Sequence, residues 1–238
     1  MKKMLKLSSI YSLGRGKLVK PEVIRLVHNG GVIKEVVKEL KLIEYGNPET
    51  SLEVRTSELN VDGKRLKNDD VLVKLVASPI NPADVNIIQG RYGVLPESLP
   101  ANVGNEALFE VVLTGREGGR EGAFAPGDLV VPAFRTGWGT WRSHGVASSS
   151  IFHRVAARDE ATSELYHALA TVSVNPPTAY RLLKNFVDLK PGETVIQNGA
   201  NSGVGQAVIQ LAKIFKINLV NIVRKRENQD ALNAYLRG

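Results

Sequence analysis

The chain has 238 residues, of which 43% are hydrophobic and 23% charged, the composition of a soluble globular protein with room for one large or two modest cores. It contains no cysteine, which excludes disulfides and thiolate metal sites. Its four histidines, His28, His144, His153 and His167, are not paired at ligand spacing, so no metal site is expected.

The net charge of +7 is concentrated at the start. Lys2, Lys3, Lys6, Arg15, Lys17 and Lys20 stand there with no acid, and Ser8, Ser9 and Ser12 lie among them. A basic, serine-containing, acid-free segment is the pattern of a mitochondrial transit peptide; the alternative is a disordered basic tail. Residues 1–40 are read as this extension. Without the six cations the remainder carries about +1, so the high pI does not point to nucleic acid, and no nucleic-acid partner is expected. No apolar run approaches the length of a membrane span.

From Lys41 the pattern becomes regular. Tyr45-Gly46-Asn47-Pro48 marks a turn and Leu52-Glu53-Val54 a short strand. Val71 to Val76 alternates with period two, as a half-buried strand does. Pro79, Asn81 and Pro82 end it, and Asp84 to Gln89 reads as a short helix. Glu106 to Leu113 is a strand, Gly115 to Gly122 a polar glycine-rich loop, and Leu129-Val130-Val131 a strand after the Pro126-Gly127-Asp128 turn. Short strands with Gly and Pro turns point to a small, mostly antiparallel barrel or sandwich.

The texture changes near Asn175. Thr178 to Val187 reads as helix and Thr194 to Asn198 as a buried strand. Val204, Ala207, Val208, Leu211, Ala212 and Phe215 fall on one helical face, and Ile217 to Val223 is a second apolar strand. A helix between two apolar strands predicts a crossover with parallel strands.

Between the first of these strands and the helix lies Gly199-Ala200-Asn201-Ser202-Gly203-Val204-Gly205. Against the dinucleotide pattern G-x-G-x-x-G the matching positions are Ala200, Ser202 and Gly205, so two glycines are replaced while the turn stays glycine-rich. A helix N-terminus there offers free N–H groups to a pyrophosphate, and Ser202 adds a hydroxyl. Sites for NAD place an acid at the end of the second strand; this chain has Arg224, Lys225 and Arg226. An arginine pairs with a 2′-phosphate that a carboxylate would repel, which favours NADPH. The alternative is a solvated basic strand end.

Asn81-Pro82-Ala83-Asp84, Gln89-Gly90-Arg91-Tyr92-Gly93 and Gly104-Asn105-Glu106 resemble the medium-chain dehydrogenase/reductase superfamily. Within it, Gly139-Thr140-Trp141, Val174-Asn175-Pro176, Gln197 to Gln206 and Val223 to Arg226 resemble the mitochondrial trans-2-enoyl thioester reductases. The similarity covers roughly residues 41–238. The zinc alcohol dehydrogenases of similar fold carry Gly-His-Glu and cysteines; here Asn105 stands at the histidine and cysteine is absent.

The resemblance implies an α/β chain: a GroES-like β-barrel catalytic domain over 41–177, followed by the first βαβ portion of a Rossmann domain over 178–238. It implies an enzyme that reduces 2-enoyl thioesters, on CoA or acyl carrier protein, with NADPH in mitochondrial fatty acid synthesis. The location would be the matrix; the alternative is the cytoplasm. Tyr92 matches the catalytic tyrosine of the family. Asn175, Asn201, Ser202, Gly203, Val204, Arg224, Lys225 and Arg226 match its NADPH contacts, and Trp141 matches a pocket position concerned with shape. A phenol with a pKa near ~10 is protonated at neutral pH, so Tyr92 can supply a proton or hold a relaying water. The alternative for Tyr92 is packing in a glycine-rich turn, and for Trp141 a place in the core.

Family members are considerably longer and form homodimers. The expectation is therefore that this chain lacks the second half of the Rossmann sheet and alone reduces enoyl thioesters poorly. The competing readings are an NADPH:quinone oxidoreductase of the same superfamily and a non-catalytic nucleotide-binding fragment.

Overall fold

Val71, Leu72 and Val73 are all fully buried, and their strand lies inside a five-stranded antiparallel sheet. The structure, a computed structural model, describes residues 32–63, 66–115, 124–133, 137–157 and 163–225, with 227, 230, 232, 234 and 236. The basic start of the transit-peptide reading, most of the glycine-rich loop and Arg226 lie outside the described residues. Two compact units divide between Thr171 and Val172.

In the first unit, β1 (Val32–Leu42) and β2 (Leu52–Asp62) form an antiparallel hairpin around the short helix α1 (Pro48–Ser51). Then come β3 (Asp70–Ala77), α2 (Pro82–Ile88), β4 (Ala101–Asn102), β5 (Leu108–Thr114), β6 (Leu129–Pro132), β7 (His144–Ser148), β8 (Phe152–Ala156) and α3 (Ser163–Leu169). The strand orders are β7-β3-β5-β6-β8 and β2-β1-β4. Among the described residues the strands pair as two antiparallel sheets rather than one closed cylinder. β1 ties the two together: Leu40 N–H donates to Trp141 O (3.0 Å) and Ser143 N–H to Lys38 O (2.8 Å), just ahead of β7.

The main core packs Val71, Val73, Phe109, Val111 and Val130. Phe109, Trp138 and Phe152 meet edge to face at 5.5–6.0 Å, the arrangement aromatic quadrupoles favour.

The start of β1 corrects one expectation. The strand begins at Val32, inside the segment read as an extension, and pairs with β2 along its whole length. Val32-Ile33 and Val36-Val37 come as apolar doublets separated by Lys-Glu pairs, a four-residue recurrence that suits one face of a helix better than the period of two a strand shows.

The second unit contains α4 (Asn175–Lys184), β9 (Thr194–Asn198), α5 (Gly203–Phe215) and β10 (Asn218–Ile222). β9 and β10 are parallel neighbours, as the crossover reading requires. Val208 of α5 packs with Ala179 and Leu183 of α4, with Val204, Ala207, Leu211, Phe215 and Leu219 around them. The fold class is thus the expected one, α/β with an antiparallel GroES-like domain ahead of a βαβ unit. β9, however, is not buried on both sides. Ile196 is 66% exposed, and Val220 and Ile222 share its open face, because α5 covers only the opposite face.

Candidate functional site

In the second unit, the register sets what lies beside what. Ile222 pairs with Asn198, so the two parallel strands end level. The glycine turn leaves one end and Val223-Arg224-Lys225 leaves the adjacent one. Gly199 has φ +58, the left-handed region glycine enters without strain, and Ser202 N–H donates to Gly199 O at 2.8 Å to close the turn.

Ser202 then caps α5: its Oγ accepts from Gly205 N–H at 3.0 Å. The N–H groups of Gly203 and Val204 stand in the first helical turn, where no carbonyl precedes them. A Cβ at Gly205 would come within 2.6 Å of the carbonyl oxygens of Gly199 and Ala200. The third position of the pattern is therefore glycine because the helix starts hard against the turn. Gln197 locks the arrangement, donating to Gly205 O (3.2 Å) and to Asn221 Oδ1 (2.7 Å).

Arg224 and Lys225 are exposed. Asn201 is half-buried in the turn, its carbonyl accepting from Gln206 Nε2 at 2.8 Å. Asn175 is half-buried at the start of α4. Replacing Ser202 by alanine is expected to cost about 1 kcal/mol, the usual worth of an N-cap, read as a lower unfolding midpoint for this unit.

The first unit holds a cleft of about 550 Å³. Its frame is an interlock of two short motifs. Thr140 N–H donates to Gly104 O (3.1 Å) and Trp141 N–H to Val103 O (3.0 Å), while Thr140 Oγ1 donates to Glu106 O at 3.1 Å. Gly104 has φ +91, and a Cβ there would meet Trp141 Cδ1 at 2.5 Å. Gly139 has φ +75, and its Cβ would meet Asn102 backbone at 2.9 Å. Gly104-Asn105-Glu106 and Gly139-Thr140-Trp141 thus each need a glycine so that the other can approach.

A polar network borders the cleft, with Asp84 and Asn105 in its lining. Asp84 Oδ2 accepts from Asn81 N–H (2.8 Å) at the start of α2, and Asp84 Oδ1 accepts from Asn105 Nδ2 (2.6 Å). Asn81 Nδ2 donates to Glu106 Oε2 at 2.8 Å. Asp84 and Glu106 thus hold Asn81 and Asn105 in place.

Tyr92 follows the C-terminus of α2. Gly90 N–H donates to Ile87 O (2.9 Å) and Arg91 N–H to Asn86 O (2.8 Å), and Gly90 turns the chain at φ +69 with Tyr45 packed beside it. Tyr45 Oη donates to Pro96 O at 3.3 Å. Tyr92 is 40% exposed and stands just before Val94 and Leu95, which line the cleft. Trp141 is 7% exposed and packs with Leu42, Ile88 and Val103. It sits in the core behind the wall, whose cleft-side surface is Trp138, Gly139 and Thr140.

Sequence reasoning missed Trp138 and Arg142. Arg142 Nε donates to Gly139 O at 2.9 Å and its terminal nitrogen to Trp138 O at 2.5 Å, with Glu39 at 3.6 Å. Burial pulls the Arg142 guanidinium below its ordinary pKa, partly offset by Glu39. The available signal was an aromatic flanked by two glycines, Gly137-Trp138-Gly139.

Among the described residues no group of three or more His, Asp or Glu side chains could hold a metal ion, and no helix is long and apolar enough to cross a membrane.

Residues 67–156 match the alcohol dehydrogenase GroES-like domain family. The chain is 42% identical over 201 residues to the human mitochondrial enoyl-[acyl-carrier-protein] reductase, covering 84% of this chain and 50% of that protein. It is 44% identical over 188 residues to the namesake from Caenorhabditis elegans, covering 79% and 51%. Among solved structures, an enoyl thioester reductase from Candida tropicalis, in a mutant form, superimposes with TM-score 0.73 at 32% identity, covering 85% of this chain and 58% of that one. A complex of Etr1p with NADP and crotonyl-CoA gives TM-score 0.74 at 32% identity with the same coverage. A putative NADPH:quinone reductase from Bacillus thuringiensis gives 0.68 at 25% identity, covering 84% and 56%. The chain spans about half the length of the curated relatives it matches.

Proposed function

Because the chain belongs to the medium-chain dehydrogenase/reductase superfamily, we propose that it serves NADPH-dependent reduction of trans-2-enoyl thioesters, carried on CoA or acyl carrier protein, in mitochondrial fatty acid synthesis. The observation that carries this reading is the level ending of β9 and β10, with a capped helix N-terminus beside an exposed arginine and lysine. That donor set fits a pyrophosphate and a 2′-phosphate, since both are anions and nothing acidic ends β10. The likeness to mitochondrial enoyl reductases, closer in identity than the likeness to quinone reductases, supports the substrate class.

Each residue then takes a role. Gly203 and Val204 N–H groups and the Ser202 and Asn201 turn hold the pyrophosphate. Arg224, with Lys225 and Arg226, pairs with the 2′-phosphate, and Asn175 orients the cofactor from the start of α4. When bound, NADPH supplies hydride to the β-carbon of the enoyl group. Negative charge then grows on the thioester oxygen and must meet positioned donors, and the α-carbon must gain a proton. Tyr92 holds that proton on its phenol or on a water it binds. Trp141 fixes the shape of the cleft by packing behind its wall. The chemistry needs no zinc in this reading, the site is in the matrix, the basic start is a transit peptide, and the assembled enzyme is a homodimer.

The test is the ranking of acceptors. NADPH is expected to bind, and crotonyl-CoA is expected to drive its oxidation faster than a quinone does. Tyr92→Phe is expected to lower that rate by about a hundredfold, the low end for a lost general acid. A faster rate with the quinone, or no NADPH binding, would overturn the reading.

A further inference from the structure

The wall of the cleft is built unusually around one side chain. Trp138 lines the cleft between Gly137 and Gly139, with Gly104, Asn105 and Thr140 also in the lining, so the indole is the largest side chain on that wall. It is held from several sides. Phe109 and Phe152 meet it edge-on at 5.5 and 5.8 Å. The guanidinium of Arg142 lies over its ring, 4.4 Å from the centroid, at a distance where cation and ring attract. Arg142 also fixes the backbone beneath, through its bonds to the carbonyls of Trp138 and Gly139. Gly145 on β7 leaves room for the indole, because a Cβ there would overlap its Cζ2 and sit 3.1 Å from its Cη2.

From this arrangement we propose that Trp138 is the specificity-determining residue of the cleft, limiting the length of the acyl group it admits, and that Arg142 is the positioning residue that holds the indole in place. The proposal rests on the reading of the cleft as a thioester site. A group this large, set between two glycines and beside the small side chain of Thr140, limits the volume available to the acyl chain. A methylene seated against an apolar surface changes discrimination by roughly tenfold to two-hundredfold, and the indole is the largest apolar side chain in a lining that also holds Asn102, Asn105 and Thr140, so removing it is a large perturbation of that limit.

The experiment measures binding rather than turnover. Butanoyl-CoA and dodecanoyl-CoA, which cannot be reduced, are titrated into the chain by calorimetry. Trp138→Ala is expected to raise the affinity for dodecanoyl-CoA relative to butanoyl-CoA by about tenfold or more. Trp138→Leu does the same by a smaller factor and guards against loss of folding in the alanine variant. Arg142→Lys keeps the charge opposite Glu39 but loses the planar fork, and moves the ratio in the same direction. Gly145→Ala pushes the indole toward the cleft and moves the ratio the opposite way. An unchanged ratio in the folded Trp138 variants overturns the assignment of Trp138, whatever the cleft binds. Failure of the unaltered chain to bind either thioester overturns the thioester reading, and this proposal with it.

Discussion

Gly104→Ala is expected to destabilise the first unit by more than about 3 kcal/mol, whereas Gly93→Ala, close by in sequence, is expected to be nearly neutral. The reasoning separates two penalties. At Gly104 the backbone sits at φ +91, where a side chain carries strain of roughly 1–3 kcal/mol. The added methyl would also lie 2.5 and 2.8 Å from Trp141 Cδ1 and Cγ, and Trp141 is buried among Leu42, Ile88 and Val103, so it cannot swing away. Moving Thr140 aside instead would break its bonds to Gly104 O and Glu106 O, each worth about 1 kcal/mol. Gly137 isolates the first penalty: φ is +70, with nothing within 4 Å of the added Cβ, so Gly137→Ala should cost about 1 kcal/mol. Gly93 has neither problem. Urea midpoints for the three variants should fall in the order Gly93, Gly137, Gly104. Equal midpoints for Gly104→Ala and Gly137→Ala would mean that the two motifs do not interlock as described.

That interlock also shows what the sequence could and could not reveal. β3 was legible as a run of β-branched and aliphatic residues, although it is covered on both faces rather than one, with Val71 and Val73 in the main core and Leu72 in a second cluster with Val61 and Leu113. The crossover from β9 through α5 to β10 was legible too, with the apolar face of α5 spelled out at helical spacing. β1 was not, since its apolar doublets gain their meaning only from pairing with β2 and from the contact with the segment before β7. β9 read as buried because its residues are apolar, yet Ile196 faces outward; apolarity shows that a residue can be covered, not that it is.

The candidate site divides along the same line. The glycine turn and its arginines are local in sequence, so their order alone placed a helix N-terminus beside a basic strand end. The cleft is non-local. Gly104 and Thr140 are distant in the chain, and only folding shows that each glycine exists for the other motif. Trp138 and Arg142 escaped notice because their roles depend on Phe109, Phe152, Glu39 and Gly145, which no spacing rule connects.

Arg224→Glu is expected to weaken NADPH binding by at least about a hundredfold while leaving NADH within a few-fold. A hydrogen bond to a charged group contributes about 1.5–3 kcal/mol, equivalent to roughly tenfold to more than a hundredfold in affinity. The reversed charge adds repulsion of a dianionic phosphate to that loss. NADH carries a hydroxyl in place of the phosphate and so gains an acceptor at the strand end, as in sites that favour it. Lys225→Ala should have a smaller effect, because an ammonium is a point charge without the fork. Since Arg224 and Lys225 are exposed, the preference for NADPH should shrink as salt is raised. Gly205→Ala is the control for the other half of the site. Its methyl collides with the carbonyls of Gly199 and Ala200, displaces the start of α5, and should weaken both cofactors alike. Fluorescence titration of the two cofactors against the three variants separates these outcomes. If Arg224→Glu left the ratio of NADPH to NADH affinity unchanged, the basic pair would be a solvated strand end, and the cofactor preference would have to be sought elsewhere in the second unit.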